Sequence, residues 1–180
     1  DFNTDSDTEV ILKSFEFWGI NFVHKLNGMF SIIIFDSLKN KIFLIRDRAG
    51  VKPLYYYWDQ KILMFASELK CFHKHPMFNK QISNEGLSIY LKYGFIPAPL
   101  SIFNNTYKLD QGCYIEFQLT DKKLKESKYW DVSEFYQKAK LNYNETEIIE
   151  KVKIKLNNAF NLRLISDVPV GVFLSGGYDS

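Results

Sequence analysis

Cysteine is scarce in this chain. Cys71 and Cys113 are the only two among 180 residues, too few for a disulfide framework, and they point to reduced, buried thiols. Arginine is scarcer than lysine: Arg46, Arg48 and Arg163 are the whole complement. A nucleic-acid surface usually carries a basic stripe with several guanidinium forks, so no nucleic-acid partner is expected. No apolar run reaches the roughly 18 residues that would suggest a membrane-spanning helix. Residues 1–25 lack a basic segment followed by an apolar one, so no secretory leader is read there and a cytoplasmic location is expected. There is no block of like charges and no internal repeat, and the net charge of +2 says little about partners. The first residue is Asp1, not Met, which reads as the interior of a longer polypeptide.

What is present is a globular composition. Hydrophobic residues make up 46% and charged residues 24%, with 16 Phe, 11 Tyr and 3 Trp. The length suits one domain and part of another, with an aromatic-rich core. Ser6-Asp7-Thr8-Glu9 has the form of a capping box, and apolar positions from Val10 to Trp18 follow at helical spacing up to Gly19. A helix is therefore predicted over about 7–18. Strands are expected at 30–35 and 42–45, then a hairpin of 54–58 and 61–66 across Asp59-Gln60. Runs that are apolar on both faces predict a sheet covered on both sides. Short helical segments are expected at 68–73 and at 84–93, the second closed by Gly94. Pro97-Ala98-Pro99 is expected to be extended. Two further strands are expected near 102–109 and 114–119. The polar, lysine-rich stretch 120–144 reads as an inter-domain connection. Asn144 and Glu147 then cap a second long helix with Ile148, Ile149, Val152, Leu156, Ala159 and Phe160 on its apolar face.

The chain ends on Val168–Leu174, read as a strand interrupted by Pro169, and then Ser175-Gly176-Gly177-Tyr178-Asp179-Ser180. Two glycines after an apolar strand let backbone N–H groups approach a phosphate without interference from a Cβ. A following helix N-terminus would favour the negative charge. Ser175 adds a hydroxyl donor, and Asp179 can also hold Mg2+. The loop has no Gly-Lys-Ser/Thr and is not a Walker A loop. Three histidines, His24, His73 and His75, lack the spacing of a helical metal pair and are read as ordinary solvated or half-buried side chains. Arg46-Asp47-Arg48 is read as a strand-end ion-pair network that fixes the next loop, with no catalytic role.

Six ordered segments resemble one family. Ser166-Asp167-Val168-Pro169-Val170-Gly171-Val172-Phe173-Leu174-Ser175-Gly176-Gly177-Tyr178-Asp179-Ser180 resembles the start of the synthetase domain of glutamine-hydrolysing asparagine synthases. Leu26-Asn27-Gly28-Met29-Phe30-Ser31, the run Arg46 to Tyr56, Phe65 to Lys70, Tyr93 to Pro99 and Leu109 to Gly112 resemble further motifs of the same family, in order and across nearly the whole chain.

That resemblance implies an α+β chain. Residues 1–126 would be part of an Ntn-hydrolase-type αββα glutaminase sandwich, 127–143 a linker, and 144–180 the start of an α/β adenine-nucleotide α-hydrolase (ATP pyrophosphatase) domain. It implies ammonia release from glutamine through a thioester, then amidation of aspartate through β-aspartyl-AMP with release of AMP and pyrophosphate. By the same resemblance Asp7 binds the α-amino group of glutamine. Leu174, Ser175, Gly176, Gly177, Asp179 and Ser180 bind ATP, and Asp179 is the candidate Mg2+ ligand. Glutamine, aspartate and ATP are the implied partners, with a homodimer possible and no membrane.

The family's N-terminal Cys nucleophile, whose own amino group can serve as base, has no counterpart at Asp1. Cys71 and Cys113 are internal. The 180 residues taken alone are therefore expected to be inactive. The alternatives are a related ligase acting on another acceptor, of surface-polysaccharide or β-lactam type, and a non-catalytic binding protein of the same build.

Overall fold

Ser6 and Gly19 mark the ends of the first helix. In the computed structural model, which describes residues 2–177, α1 spans Asp7–Trp18, and a 3-10 segment, Gly19–His24, follows directly. The Ser6 side chain accepts from the Thr8 N–H at 3.2 Å. Glu9, however, does not close the expected reciprocal box. Its carboxylate accepts from the N–H groups of Asn3 at 2.8 Å and Thr4 at 2.7 Å, and from the Thr4 hydroxyl at 2.6 Å. The Thr4 hydroxyl bond, with the Asn3 and Thr4 N–H bonds behind it, holds the Glu9 carboxyl below its usual range. The lead-in to the helix is thus tied back onto its first turn.

The chain divides into two compact units, Asp1–Tyr136 and Gln137–Ser180. In the first, strands β1 (Ser31–Asp36), β2 (Lys41–Arg46), β6 (Cys113–Gln118) and β7 (Lys123–Lys128) form one antiparallel sheet in the order β1-β2-β6-β7. Strands β3 (Tyr55–Trp58), β4 (Leu63–Ala66) and β5 (Thr106–Lys108) form a second, in the order β4-β3-β5. The first unit thus holds two antiparallel sheets. The apolar runs are covered on both faces because the sheets pack on each other and each is covered again outside.

β2 shows how this works. Leu44 points into a cluster shared by both sheets, with Leu54, Tyr56, Leu109, Cys113, Ile115 and Phe117. Its neighbours Phe43 and Ile45 point the other way, into a cluster with Phe22, Val23, Ile32 and Ile34, where α1 adds Ile11 and Phe15. Phe15 meets Phe22 and Phe43 edge-on, at 6.0 and 5.3 Å between ring centres. The outer face of the second sheet is closed by Phe72, from the 3-10 segment Leu69–Lys74, and by Phe78 against Tyr57. α1 has no fully buried side chain; it is seated on the first sheet by the half-buried Ile11 and Phe15, which pack against the cluster around Phe43 and Ile45.

Three local expectations differ from what is observed. Pro97-Ala98-Pro99 is not extended: the Leu100 N–H bonds the Pro97 carbonyl at 3.0 Å across a turn with a cis Ala98-Pro99 bond, the geometry of a type VI turn. The stretch from Thr120 is not all connection, because β7 pairs along its length with β6. Polarity misled there: β7 is an edge strand whose outward side chains face water. The hairpin link is four residues, 59–62, because the Asp59 carboxylate accepts from both the Lys61 and Ile62 N–H groups. Helix α2, Asn84–Tyr93, ends at left-handed Gly94, as the sequence suggests.

After the short α3 (Ser133–Tyr136), the second unit is dominated by α4, Glu145–Arg163. Its capping box is complete: the Asn144 side chain accepts from the Glu147 N–H at 2.9 Å, and the Glu147 carboxylate accepts from the Asn144 N–H at 3.0 Å. Residues 168–174 form no strand among the described residues. A strand needs a partner's backbone groups, and an apolar run does not supply them by itself. No helix among the described residues is long and apolar enough to cross a membrane.

Candidate functional site

A cavity of about 230 Å³ opens beside the first turn of α1. One wall is α1 itself, with Asp7, Val10 and Ile11. The other is the loop Leu26-Asn27-Gly28-Met29, continuing into Phe30 and Ile32. Asp7 is the only charged side chain in the lining, and Asn27 the only other polar one. Asp7 is the first helical residue, where the unpaired N–H groups of the turn favour a negative charge. The arrangement suits a short ligand with a cationic head and an aliphatic stem: the carboxylate takes the head and the apolar walls take the stem.

The loop wall rests on a second structure built by Arg46-Asp47-Arg48. Arg46 and Asp47 are almost completely buried. The expected ion-pair network is not what holds this loop. Arg46 donates to three carbonyls instead: Nη1 to Leu109 at 2.5 Å, Nη2 to Gly50 at 2.6 Å and Nε to Lys52 at 3.0 Å. The Asp47 carboxylate accepts from the N–H groups of Ala49, Val51 and Lys52 at 3.0–3.1 Å. Gly50 sits at φ +64, and a Cβ there would lie 2.9 Å from Arg46 Nη2, so a larger residue would be strained and would press on the Arg46 guanidinium. Buried polar groups need such partners, and here nearly all are backbone.

The second candidate is the terminal loop, in the other unit. Leu174 and Ser175 are exposed, and Gly176 has φ +80 with open space where a Cβ would point. Backbone in this conformation can approach a phosphate closely. Asp179 and Ser180 lie outside the described residues, and with them the Mg2+ assignment to Asp179. Among the described residues no group of three His, Cys, Asp or Glu side chains could hold a metal ion.

The family resemblance implies Asp7 but no partner for it in the pocket. Asn27 and the rest of the wall were visible only as a motif, because nothing local links residue 7 to residue 27. The link is made by α1 packing on β1 and β2.

Comparisons with known proteins agree with this division of the chain. The model of the glutamine amidotransferase domain family matches residues 1–130, and that of the asparagine synthase family matches 151–180. The chain belongs to the glutamine amidotransferase domain family. Among its relatives, a Methanocaldococcus jannaschii protein named "Putative asparagine synthetase (glutamine-hydrolyzing) 2" is 42% identical over 98% of this chain and 34% of its own length. The Bacillus subtilis protein "Asparagine synthetase (glutamine-hydrolyzing) 2" is 41% identical over 99% of this chain and 25% of its own length. A Gibberella zeae protein named "Amidase chry2" is 30% identical over 98% of this chain and 26% of its own. The chain thus spans a quarter to a third of the length of these relatives.

Proposed function

We propose that this chain is part of a glutamine-hydrolysing asparagine synthetase, in which Asp7 binds the α-ammonium group of glutamine. On this reading the two sheets and α1 belong to an Ntn-hydrolase-type αββα glutaminase sandwich over residues 1–126. Residues 127–143 are the linker, and 144–180 begin an α/β domain of adenine-nucleotide α-hydrolase type. The observation that carries the proposal is continuity: single relatives named for this activity align with 98–99% of the chain, across both parts at once.

The chemistry divides in the same way. Glutamine gives up its amide nitrogen as ammonia while Asp7 holds the ammonium end and the apolar walls hold the methylenes. The carboxylate of aspartate is a poor acyl donor. Attack of its oxygen on the α-phosphorus of ATP expels pyrophosphate and leaves a mixed anhydride, from which ammonia displaces AMP. Leu174, Ser175, Gly176 and Gly177, with Asp179 and Ser180, would line the nucleotide. The open, left-handed backbone at Gly176 supports a phosphate there, and Mg2+ held at Asp179 would offset phosphate charge.

The test supplies the full-length polypeptide with amide-labelled glutamine, ATP, Mg2+ and aspartate. Labelled asparagine with equal amounts of AMP and pyrophosphate is expected. Formation of ADP and phosphate would contradict the assignment. An amide formed on a different carboxylate would favour the second reading, another acceptor.

A further inference from the structure

The wall of the Asp7 cavity formed by residues 26–29 makes no hydrogen bond of its own among the described residues. It is instead held at its two ends, and both holds come from consecutive residues of another loop. At the near end, Arg48 Nη2 donates to the His24 carbonyl at 2.9 Å, where the 3-10 segment stops. At the far end, the Asp47 N–H donates to the Phe30 carbonyl at 3.1 Å. The first bond is the only hydrogen bond Arg48 makes among the described residues, and its Nε is buried without a partner. The Tyr129 ring meets His24 edge-on at 5.9 Å, and its hydroxyl donates to the Arg46 carbonyl at 2.8 Å, closing the back of the same corner.

We infer that Arg48 is a positioning residue for glutamine: by clamping the His24 carbonyl it sets the distance between the 26–29 wall and Asp7. The inference rests on the reading of this cavity as the glutamine site. Arg46 and Asp47 spend their side chains inside their own loop, on residues 49–52 and on Leu109. Arg48 alone of the three reaches across with its side chain to the residue at which the chain leaves the 3-10 segment for the pocket loop, His24. Without it, residues 25–29 would pivot on the Phe30 end and the wall would stand off from Asp7. Binding of a ligand spanning both walls would weaken, while groups that act elsewhere would keep their geometry.

The test compares Arg48→Ala, Arg48→Lys and Asp7→Asn in the full-length polypeptide, measuring glutamine-dependent and ammonia-dependent product formation. Arg48→Ala should raise KM for glutamine by roughly five- to tenfold with kcat within about twofold, the signature of lost binding contacts. The ammonia-dependent rate should stay within about twofold. Arg48→Lys should recover most of the loss, because a single donor is enough for one carbonyl and a lysine can supply it. Unchanged KM in Arg48→Ala beside a raised KM in Asp7→Asn would overturn the role of Arg48 and leave the site standing. Unchanged KM in both would overturn the site itself. An equal fall of both activities in Arg48→Ala, not relieved in Arg48→Lys, would make the residue a general fold element and also overturn the inference.

Discussion

Replacing Asp47 by Ala tests the framework under the site without requiring activity. The side chain is 1% exposed, and its carboxylate accepts three backbone N–H bonds. Bonds to a charged group contribute about 1.5–3 kcal/mol each, an upper bound of roughly 5–9 kcal/mol for three. Ala49, Val51 and Lys52 are themselves exposed, so water can take over much of their bonding, and about 2–4 kcal/mol is the working figure. Asp47→Asn keeps an oxygen for Ala49 and Val51 but turns an N–H donor toward the Lys52 N–H, for a loss of about 1–2 kcal/mol. Urea unfolding can be followed by the fluorescence of Trp58, which packs on Phe117 at 5.0 Å between ring centres. With an m-value of about 2 kcal/mol per molar urea, Asp47→Ala should lower the midpoint by about 1–2 M and Asp47→Asn by about half as much. A shift below about 0.3 M for Asp47→Ala would refute the reasoning, because the three bonds would then be replaced by water at no cost.

Two further outcomes follow from the same packing. A chain ending at residue 136 should unfold at the midpoint of the 180-residue chain, while one ending at residue 122 should lose cooperative unfolding, because it lacks β7 and the Tyr129 bond to the Arg46 carbonyl. Circular dichroism melts of the two decide this. Burial, with the nearby Glu126 and Asp110 charges, pushes the Cys113 thiol up to about 11, so little thiolate is present at pH 8, whereas Cys71 is exposed. A thiol reagent at pH 8 should therefore titrate one equivalent in the folded chain and a second only in denaturant.

Local rules read this chain well wherever structure is set by neighbours in sequence. Ser6 and Gly19 bound α1, Asn144 and Glu147 cap α4, and Gly94 ends α2. They failed where a distant partner decides. β7 has the composition of a linker, yet it is a strand because β6 offers its edge. The segment 168–174 has the composition of a buried strand, yet it forms no strand among the described residues, because composition alone supplies no backbone partner. Glu9 prefers the Asn3 and Thr4 N–H groups to its expected capping partner because the chain ahead of Ser6 folds back over the helix start. The candidate site shows the same split. Asp7 was proposed from the family resemblance of its motif, whereas the wall opposite it and the Arg48 contact to the His24 carbonyl come from tertiary packing that no sequence window contains.

The central claim is that Asp7 holds the ammonium group of glutamine, and the Asp7→Asn variant of the full-length polypeptide tests it most directly. A charge-assisted contact of about 1.5–3 kcal/mol corresponds to roughly 10- to 100-fold in affinity. The account predicts a rise of that size in KM for glutamine, with ammonia-dependent asparagine formation unchanged. An unaltered KM, or an equal loss of both activities, would contradict it.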